Sequence, residues 1–372
     1  MIFFDLSFIR QDIHSGVAKY AYRILDYIVA TKQQERFTLV VNYISQSHIN
    51  NKYPVFNKVV IGSNLQSRLP IIRTFILSLQ FRNVVNKSGV NTVFCPWANF
   101  ITFLPNKANV ISVIHDMQHL IDLKGMGRNA YKFMYDMIFR NSKCFVTISE
   151  FSKKQILSFY PSEGNRVYNL GNSVSMCSEN LPKRLIEGDY LLFVGRICAL
   201  KNVITLVNAF IRIKDIYPSL KLVLVGSKNA YYESSLKPLI SNTSVENRII
   251  IVTGCSEPEL SALYRDAKLF VFPSLREGFG FPPIEAAYLK VPVISSKCDS
   301  LEEATMGLVN YYNNPMDDAE LAEKIQYILN NYPKVEQLEM IKNKYIENYS
   351  TDVVGKRIVD FIYGQEAHNL RK

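Results

Sequence analysis

The sequence predicts an α/β protein made of two doubly wound domains, each a parallel sheet with helices on both faces. Three observations carry this. A length of 372 residues suits two domains of ordinary size, each able to bury its own core. Short, nearly continuous apolar runs alternate with stretches of helical spacing, the pattern of parallel strands covered on both sides. A polar stretch, "GNSVSMCSENLPKRLIEGD" (171–189), interrupts the alternation and reads as a linker. Hydrophobic residues at 48% and charged residues at 20% fit a folded chain rather than a disordered one. The two domains are expected to enclose a cleft, with ligands beyond the carboxyl ends of the strands.

In the N-terminal half the expected strands are "IFFDL", "FTLVVNY", "TVFCP", "NVISVIH" and "CFVTIS". The C-terminal half is more regular. Strands are expected at "YLLFVGR" (190–196), "KLVLVG" (221–226), "RIIIVTG" (248–254), "KLFVFPS" (268–274) and "VPVISS" (291–296). Helices are expected at 202–217, 230–241, 259–267 and 282–290. The domains are placed at 1–175 and 176–350. A last helix, about 351–372 with Ser350 as its N-cap, is free to pack back on the first domain. There is no low-complexity segment and no short-period repeat.

Charge divides the chain. Residues 1–180 hold 20 Lys and Arg against 10 Asp and Glu, whereas residues 181–372 hold 23 of each. No acid occurs between Glu35 and Asp116. Such a face suits phosphates, nucleic acid or an anionic membrane surface. Within it, "RLPIIRTFILSLQFRNVVNK" (68–87) sets Arg68, Arg73, Arg82 and Lys87 beside Ile71, Ile72, Phe75, Ile76, Leu79 and Val84. One reading is a helix lying on a membrane, the other a domain helix with a solvated basic edge. No recognised nucleic-acid motif accompanies the charge, so no nucleic-acid partner is expected. No apolar run reaches the roughly 18 residues that span a bilayer, and the N-terminus does not read as a secretory signal. The expected location is the cytoplasm. Cys95, Cys144, Cys177, Cys198, Cys255 and Cys298 form no CxxC pair and read as reduced thiols, mostly buried.

The chemistry concentrates at strand ends. "SLREGFGFPPIEA" (274–286) runs from a strand into a helix opened by Pro282 and Pro283, placing free N–H groups and the positive dipole end toward a ligand. Gly278 and Gly280 let the backbone approach closely. Glu277 is positioned to accept from hydroxyls, and Glu285 is expected in the first helical turn. The plain alternative is a tight turn with a dipole-compensating acid. "FVGRICALKNV" (193–203) crosses from strand to helix with Arg196 closing the strand and Lys201 just before the helix, a diphosphate site or two solvated cations. "LVLVGS" (222–227) adds a third strand end with glycine.

These stretches, with "GCSEPELSALYRDAKLFVFPS" and "SLEEATMGLVNYYNNPMDDAELAEKI", resemble the retaining nucleotide-sugar glycosyltransferases of family 4, of GT-B fold. The two glutamates with seven residues between them, Glu277 and Glu285, match that group's signature. The resemblance covers about 190–330; in the N-terminal half "HSGVAKYAYRIL", "VISVIHDMQHL" and "VTISEFSKKQI" match weakly and in order. It implies that Arg196 and Lys201 hold the donor diphosphate. Glu277 would meet the transferred sugar, helped by N–H groups of Gly278, Phe279, Gly280 and Phe281. Glu285 would bond the ribose, and the stretch around Gly254 would lie near the base. Gly16 would let a loop approach the phosphates, and His115 would face the sugar across the cleft. The first domain would bind the acceptor and the second the donor.

No DxD-like cluster flanked by apolar strands is present, and the "MDD" at 316–318 sits in a polar turn, so no metal or other cofactor is expected. "HDMQH" (115–119) spaces two histidines as in a zinc helix, but the first ends a strand and Asp116 replaces the glutamate. Asp116 either orients His115 or caps the next segment. The expected function is transfer of a hexose or deoxyhexose to a hydroxyl of a saccharide, lipid-linked, at the inner face of the plasma membrane during synthesis of a bacterial surface polysaccharide. The alternatives are a catalytically silent partner of the same fold and a sugar-nucleotide epimerase. The absence of GxGxxG after the first strand of either half argues against a dinucleotide dehydrogenase.

Overall fold

The computed structural model describes residues 1–9, 15–62, 70–98, 107–176, 180–298 and 300–370, without the side chains of 70–74 and 368–370. Arg68, His14 and Cys177 lie outside this part, as do the side chains of Ile71, Ile72 and Arg73. The chain divides into two compact units: residues 1–173 with 351–372, and residues 174–350.

The first unit holds a parallel sheet of β1 (Ile2–Leu6), β2 (Phe37–Asn42), β3 (Asn57–Ile61), β4 (Thr92–Cys95), β5 (Asn109–Ile114), β6 (Cys144–Thr147) and β7 (Val167–Asn169). Their order is β3-β2-β1-β4-β5-β6-β7. All residues of β1, β2, β4 and β6 are buried, which is why these runs carry no polar alternation. The second unit holds β8 (Tyr190–Val194), β9 (Lys221–Val225), β10 (Ile249–Val252), β11 (Leu269–Phe272), β12 (Val293–Ser296) and β13 (Asn310–Tyr312), in the order β10-β9-β8-β11-β12-β13. Register joins Leu191 to Leu269 and Leu192 to Phe270 across the centre of this sheet.

Several expectations change in detail. The helix expected over 202–217 is Val203–Arg212; a 3-10 turn precedes it at Ala199–Lys201. Asn202 between them has a left-handed φ of 50° and so breaks the helical run. The polar stretch at 171–189 is no solvated linker at its start: Asn172, Ser173 and Val174 are buried. Arg23 Nη1 donates to the Ser173 carbonyl, and Val174 N to the Tyr349 carbonyl at 2.7 Å. The described part of the basic stretch lies in a helix, Pro70–Ser88, that seats Leu77, Phe81 and Val85 in the core of the first unit. Four-residue spacing puts these three on one stripe, a domain helix over that length. Cys95 and Cys144 are buried, but Cys198, Cys255 and Cys298 are only partly so.

The last helix, Thr351–Leu370, lies against the helix Gly16–Ala30 within the first unit. Gly355 makes the crossing possible: a Cβ there would fall 2.5 Å from Tyr27 Cβ and Cγ. Farther along, Glu366 accepts from Arg36 Nη2 at 2.7 Å, and Tyr363 lies under the Arg36 guanidinium at 3.8 Å.

Candidate active site

In the second unit β8 and β11 are neighbours, and the chain winds outward from them in opposite directions. The loops leaving their carboxyl ends diverge at this point, where doubly wound sheets form their ligand crevice. These are the two loops that carry Arg196, Lys201, Glu277 and Glu285.

Backbone and side-chain bonds tie the loops together. The Leu200 carbonyl accepts from Leu275 N at 2.8 Å and from Ser274 Oγ at 3.2 Å. The next residues then meet: Lys201 Nζ donates to Glu277 Oε1 in a close ion pair, with both side chains largely buried. The ammonium also sits 5.5 Å from the ring centroid of Phe272, the last residue of β11. The end of β12 and the loop after it brace the same structure. Ser296 Oγ and Cys298 Sγ donate to the Ser274 carbonyl, the latter at 3.0 Å, and Ser300 Oγ donates to the Glu277 carbonyl at 3.1 Å. Asn229, after β9, donates to the Ile197 carbonyl at 2.8 Å. Gly226 leaves room for the Gly195 carbonyl, which a Cβ would meet at 2.3 Å.

Arg196 lies two residues past β8 rather than closing it. It is exposed and has no hydrogen bond or ion pair to another described residue. Gly280 caps the helix Phe281–Tyr288 at a φ of 89°, and a Cβ on it would fall 2.2 Å from Leu301 Cδ2. Left-handed backbone and contact with Leu301 both require glycine there. The Phe279 side chain is buried between Phe281 and Tyr349, with ring centroids at 5.2 and 5.5 Å, so only its backbone is left to face a ligand. Gly254 has a φ of 67° with open space around its Cβ position, and Gly16 is equally open. Neither glycine is demanded by packing.

Glu285 does not sit in the first helical turn. The helix starts at Phe281, its first turn holds no acid, and Glu285 falls in the second. Dipole compensation therefore does not explain its place. Tyr264 OH donates to Glu285 Oε2 at 3.0 Å from the neighbouring helix Glu257–Arg265. Burial, and then the Glu285 charge, push the Tyr264 phenol well above its usual pKa and keep it a donor.

His115 lies in the first unit, one residue past β5. Its Nε2 bonds the Pro96 carbonyl at 2.9 Å, and because a carbonyl only accepts, Nε2 carries the proton. The ring stands edge-on to Tyr20 with centroids 5.0 Å apart. Burial lowers its pKa, outweighing the opposite pull of the Pro96 bond and Asp116. The imidazole is thus neutral near pH 7, with Nδ1 as its acceptor. Asp116 caps the next segment by accepting from Gln118 N at 3.1 Å. His119 packs against Tyr131 at 4.1 Å. Among the described residues no group of three or more His, Cys, Asp or Glu is placed to hold a metal ion.

Sequence reasoning missed Tyr264 and the serines at 274, 296 and 300. Tyr264 lay inside a helical pattern as one more apolar position. Ser296 ended an apolar strand, "VISS", a polar signal that could have drawn notice.

Comparison with known proteins adds to this geometry. Residues 180–346 match the family model described as "Glycosyl transferases group 1". The chain is 26% identical over 297 residues to the O-antigen chain mannosyltransferase RfbU of Salmonella typhimurium, covering 79% of this chain and 80% of that protein. It is 25% identical over 335 residues to the capsular polysaccharide biosynthesis glycosyltransferase CapM of Staphylococcus aureus, covering 84% of each. Among solved structures, HepE of Anabaena in complex with UDP and glucose aligns with a TM-score of 0.73 at 13% identity, over 97% of this chain and 99% of that one. Two parallel-sheet α/β units of this kind are the GT-B fold. The second unit thus holds a group 1 glycosyl transferase domain, and the chain is an enzyme of the transferase class.

Proposed function

We propose that this protein transfers a hexose or deoxyhexose from a nucleoside-diphosphate sugar to a hydroxyl of a saccharide acceptor, with retention of anomeric configuration as in family 4. The acceptor is proposed to be lipid-linked, and the product to be part of a bacterial surface polysaccharide. The enzyme would work in the cytoplasm, against the inner face of the plasma membrane through its basic N-terminal half. The names of RfbU and CapM support the polysaccharide reading. The UDP held by HepE supports a nucleotide donor.

One observation carries the proposal: Lys201 and Glu277 converge at the switch point of the second sheet, and the loop of Lys201 also carries the exposed Arg196. Transfer breaks the bond from the anomeric carbon to a phosphate oxygen and leaves that electron pair on the diphosphate. Arg196 and Lys201 are proposed to neutralise this charge in place of a metal, together with N–H groups of residues 278–281 at the helix start. A diphosphate competes with Glu277 for Lys201. As the ammonium turns to phosphate, the carboxylate is released to accept from sugar hydroxyls. Glu285, held by Tyr264, is proposed to accept from the ribose, and Gly254 to leave room near the base. His115 and Gly16 of the first unit are assigned to the sugar and the phosphates on the resemblance to family 4.

The test is release of nucleoside diphosphate from UDP-, GDP-, dTDP- and ADP-sugars in the presence of a bacterial lipid-linked saccharide extract, with and without EDTA. One donor should be turned over, and EDTA should leave the rate unchanged. Glu277→Gln and Lys201→Ala should each lower it about a hundredfold or more. Equal rates in the variants would refute the residue roles. No turnover of any donor would favour a silent partner, and free epimer without acceptor would favour an epimerase.

A further inference from the structure

The first unit displays a run of residues that neither its core nor the candidate active site employs. Residues 121–130 are all exposed. They join the short helix Gln118–Asp122, which follows β5, to the helix Gly125–Asn141. Leu120 turns inward and packs with Ile114 and Met117. Ile121, Leu123 and Met126 remain outside, Met126 at 90% exposure. Gly125, at a φ of 58°, bends the chain between them. The run also carries charge: Asp122 between Ile121 and Leu123, then Lys124, which makes no capping bond, and Arg128, whose Nε is held on the Leu120 carbonyl at 3.0 Å. Early in the helix after β3, Phe75 and Ile76 are exposed as well, while Leu77, Phe81 and Val85 of the same helix enter the core.

Apolar side chains held out beside cations are costly in water and suited to one boundary. At an anionic bilayer they enter the region between headgroups and acyl chains, while Lys and Arg reach back to the phosphates. The charge of the chain agrees: its whole excess of +10 falls in residues 1–180, and within the run Lys124 and Arg128 outnumber Asp122. We propose that residues 121–130 form the docking surface for an anionic lipid bilayer, with Ile121, Leu123 and Met126 inserted and Lys124 and Arg128 on lipid phosphates. This gives a site to the membrane partner proposed above and rests on that partner, but not on the transfer chemistry.

Flotation of the full chain with phosphatidylethanolamine–phosphatidylglycerol vesicles, beside phosphatidylcholine vesicles, tests it. The wild type should float with the anionic vesicles and not with the neutral ones. The double variant Leu123→Asp/Met126→Asp should lose vesicle binding by about tenfold or more. Lys124→Glu should weaken binding and flatten its salt dependence. Unchanged thermal melting shows that the variants fold. A double variant that floats like the wild type would overturn the proposal, and so would equal binding to neutral vesicles. A wild type that floats with neither would remove the membrane partner too, while the nucleotide-release assay still judges the transfer reaction separately. If light scattering shows a dimer that the double variant breaks, the surface is a contact between copies of the chain and the lipid proposal is wrong.

Discussion

At Lys201 and Glu277 the structure shows something that residue types alone did not: the cation and the carboxylate are partners before any ligand arrives. The sequence gathered both into strand-end loops, but the Leu200–Leu275 backbone bond that brings them together depends on strand order, which no local pattern encodes. Glu285 was placed on the helix after this loop from the sequence, but its turn was misplaced because the helix begins at Phe281. Its orientation depends on Tyr264, so Tyr264→Phe, which keeps the packing, should raise the donor KM about fivefold to tenfold with little change in kcat, the loss of one charge-assisted hydrogen bond. Combined with Glu285→Gln, the two effects should not add. A fall in melting temperature with unchanged KM would mark Tyr264 as a core residue only. For His115, burial sets the folded pKa below that of the unfolded chain. On acidification the unfolded state takes up its proton first. Stability from the neutral ring is therefore complete above a pH of about 6.5 and is lost as pH falls through the lower folded value. Thermal melts from pH 7.5 to 5 should show a steeper decline in the wild type than in His115→Gln, and equal slopes would contradict this.

At the scale of elements, the parallel strands were the most legible part. Runs such as "KLVLV" and "LFVF" are buried along nearly their whole length, leaving little besides hydrophobicity to select. Ends were less legible. Asn202 adopts a left-handed conformation that its type permits but does not announce, and the helix after it is shorter than its apolar pattern. The basic helix at 70–88 looked amphipathic for a membrane, yet the stripe Leu77, Phe81 and Val85 belongs to the core. The contact of the first and last helices of the first unit rests on Gly355, read in the sequence only as part of a helical run. Gly355→Val places methyl groups where Tyr27 stands and should cost about 1–3 kcal/mol in chemical denaturation. An unchanged midpoint would mean that the two helices separate at little cost.

For the whole molecule, chain length and the break in pattern near residue 171 pointed to two units, and the contacts divide the chain at 173 and 350. The return of the last helix to the first unit is long-range, and the sequence left it open. The charge asymmetry was plain in composition, but the exposure of Ile121, Leu123 and Met126 was not, since burial of Leu120 beside exposure of Ile121 depends on the tertiary fold. The central claim is that the second unit binds a nucleoside diphosphate through Lys201. The most direct measurement is calorimetric titration of UDP, GDP, dTDP and ADP into the wild type and Lys201→Ala, each shown folded by its own melt. One nucleotide should bind the wild type, and its dissociation constant should rise at least about tenfold in the variant, the loss of roughly 1.4 kcal/mol or more of charge-assisted contact. Equal binding by both proteins, or binding of none of the four to the wild type, would contradict it.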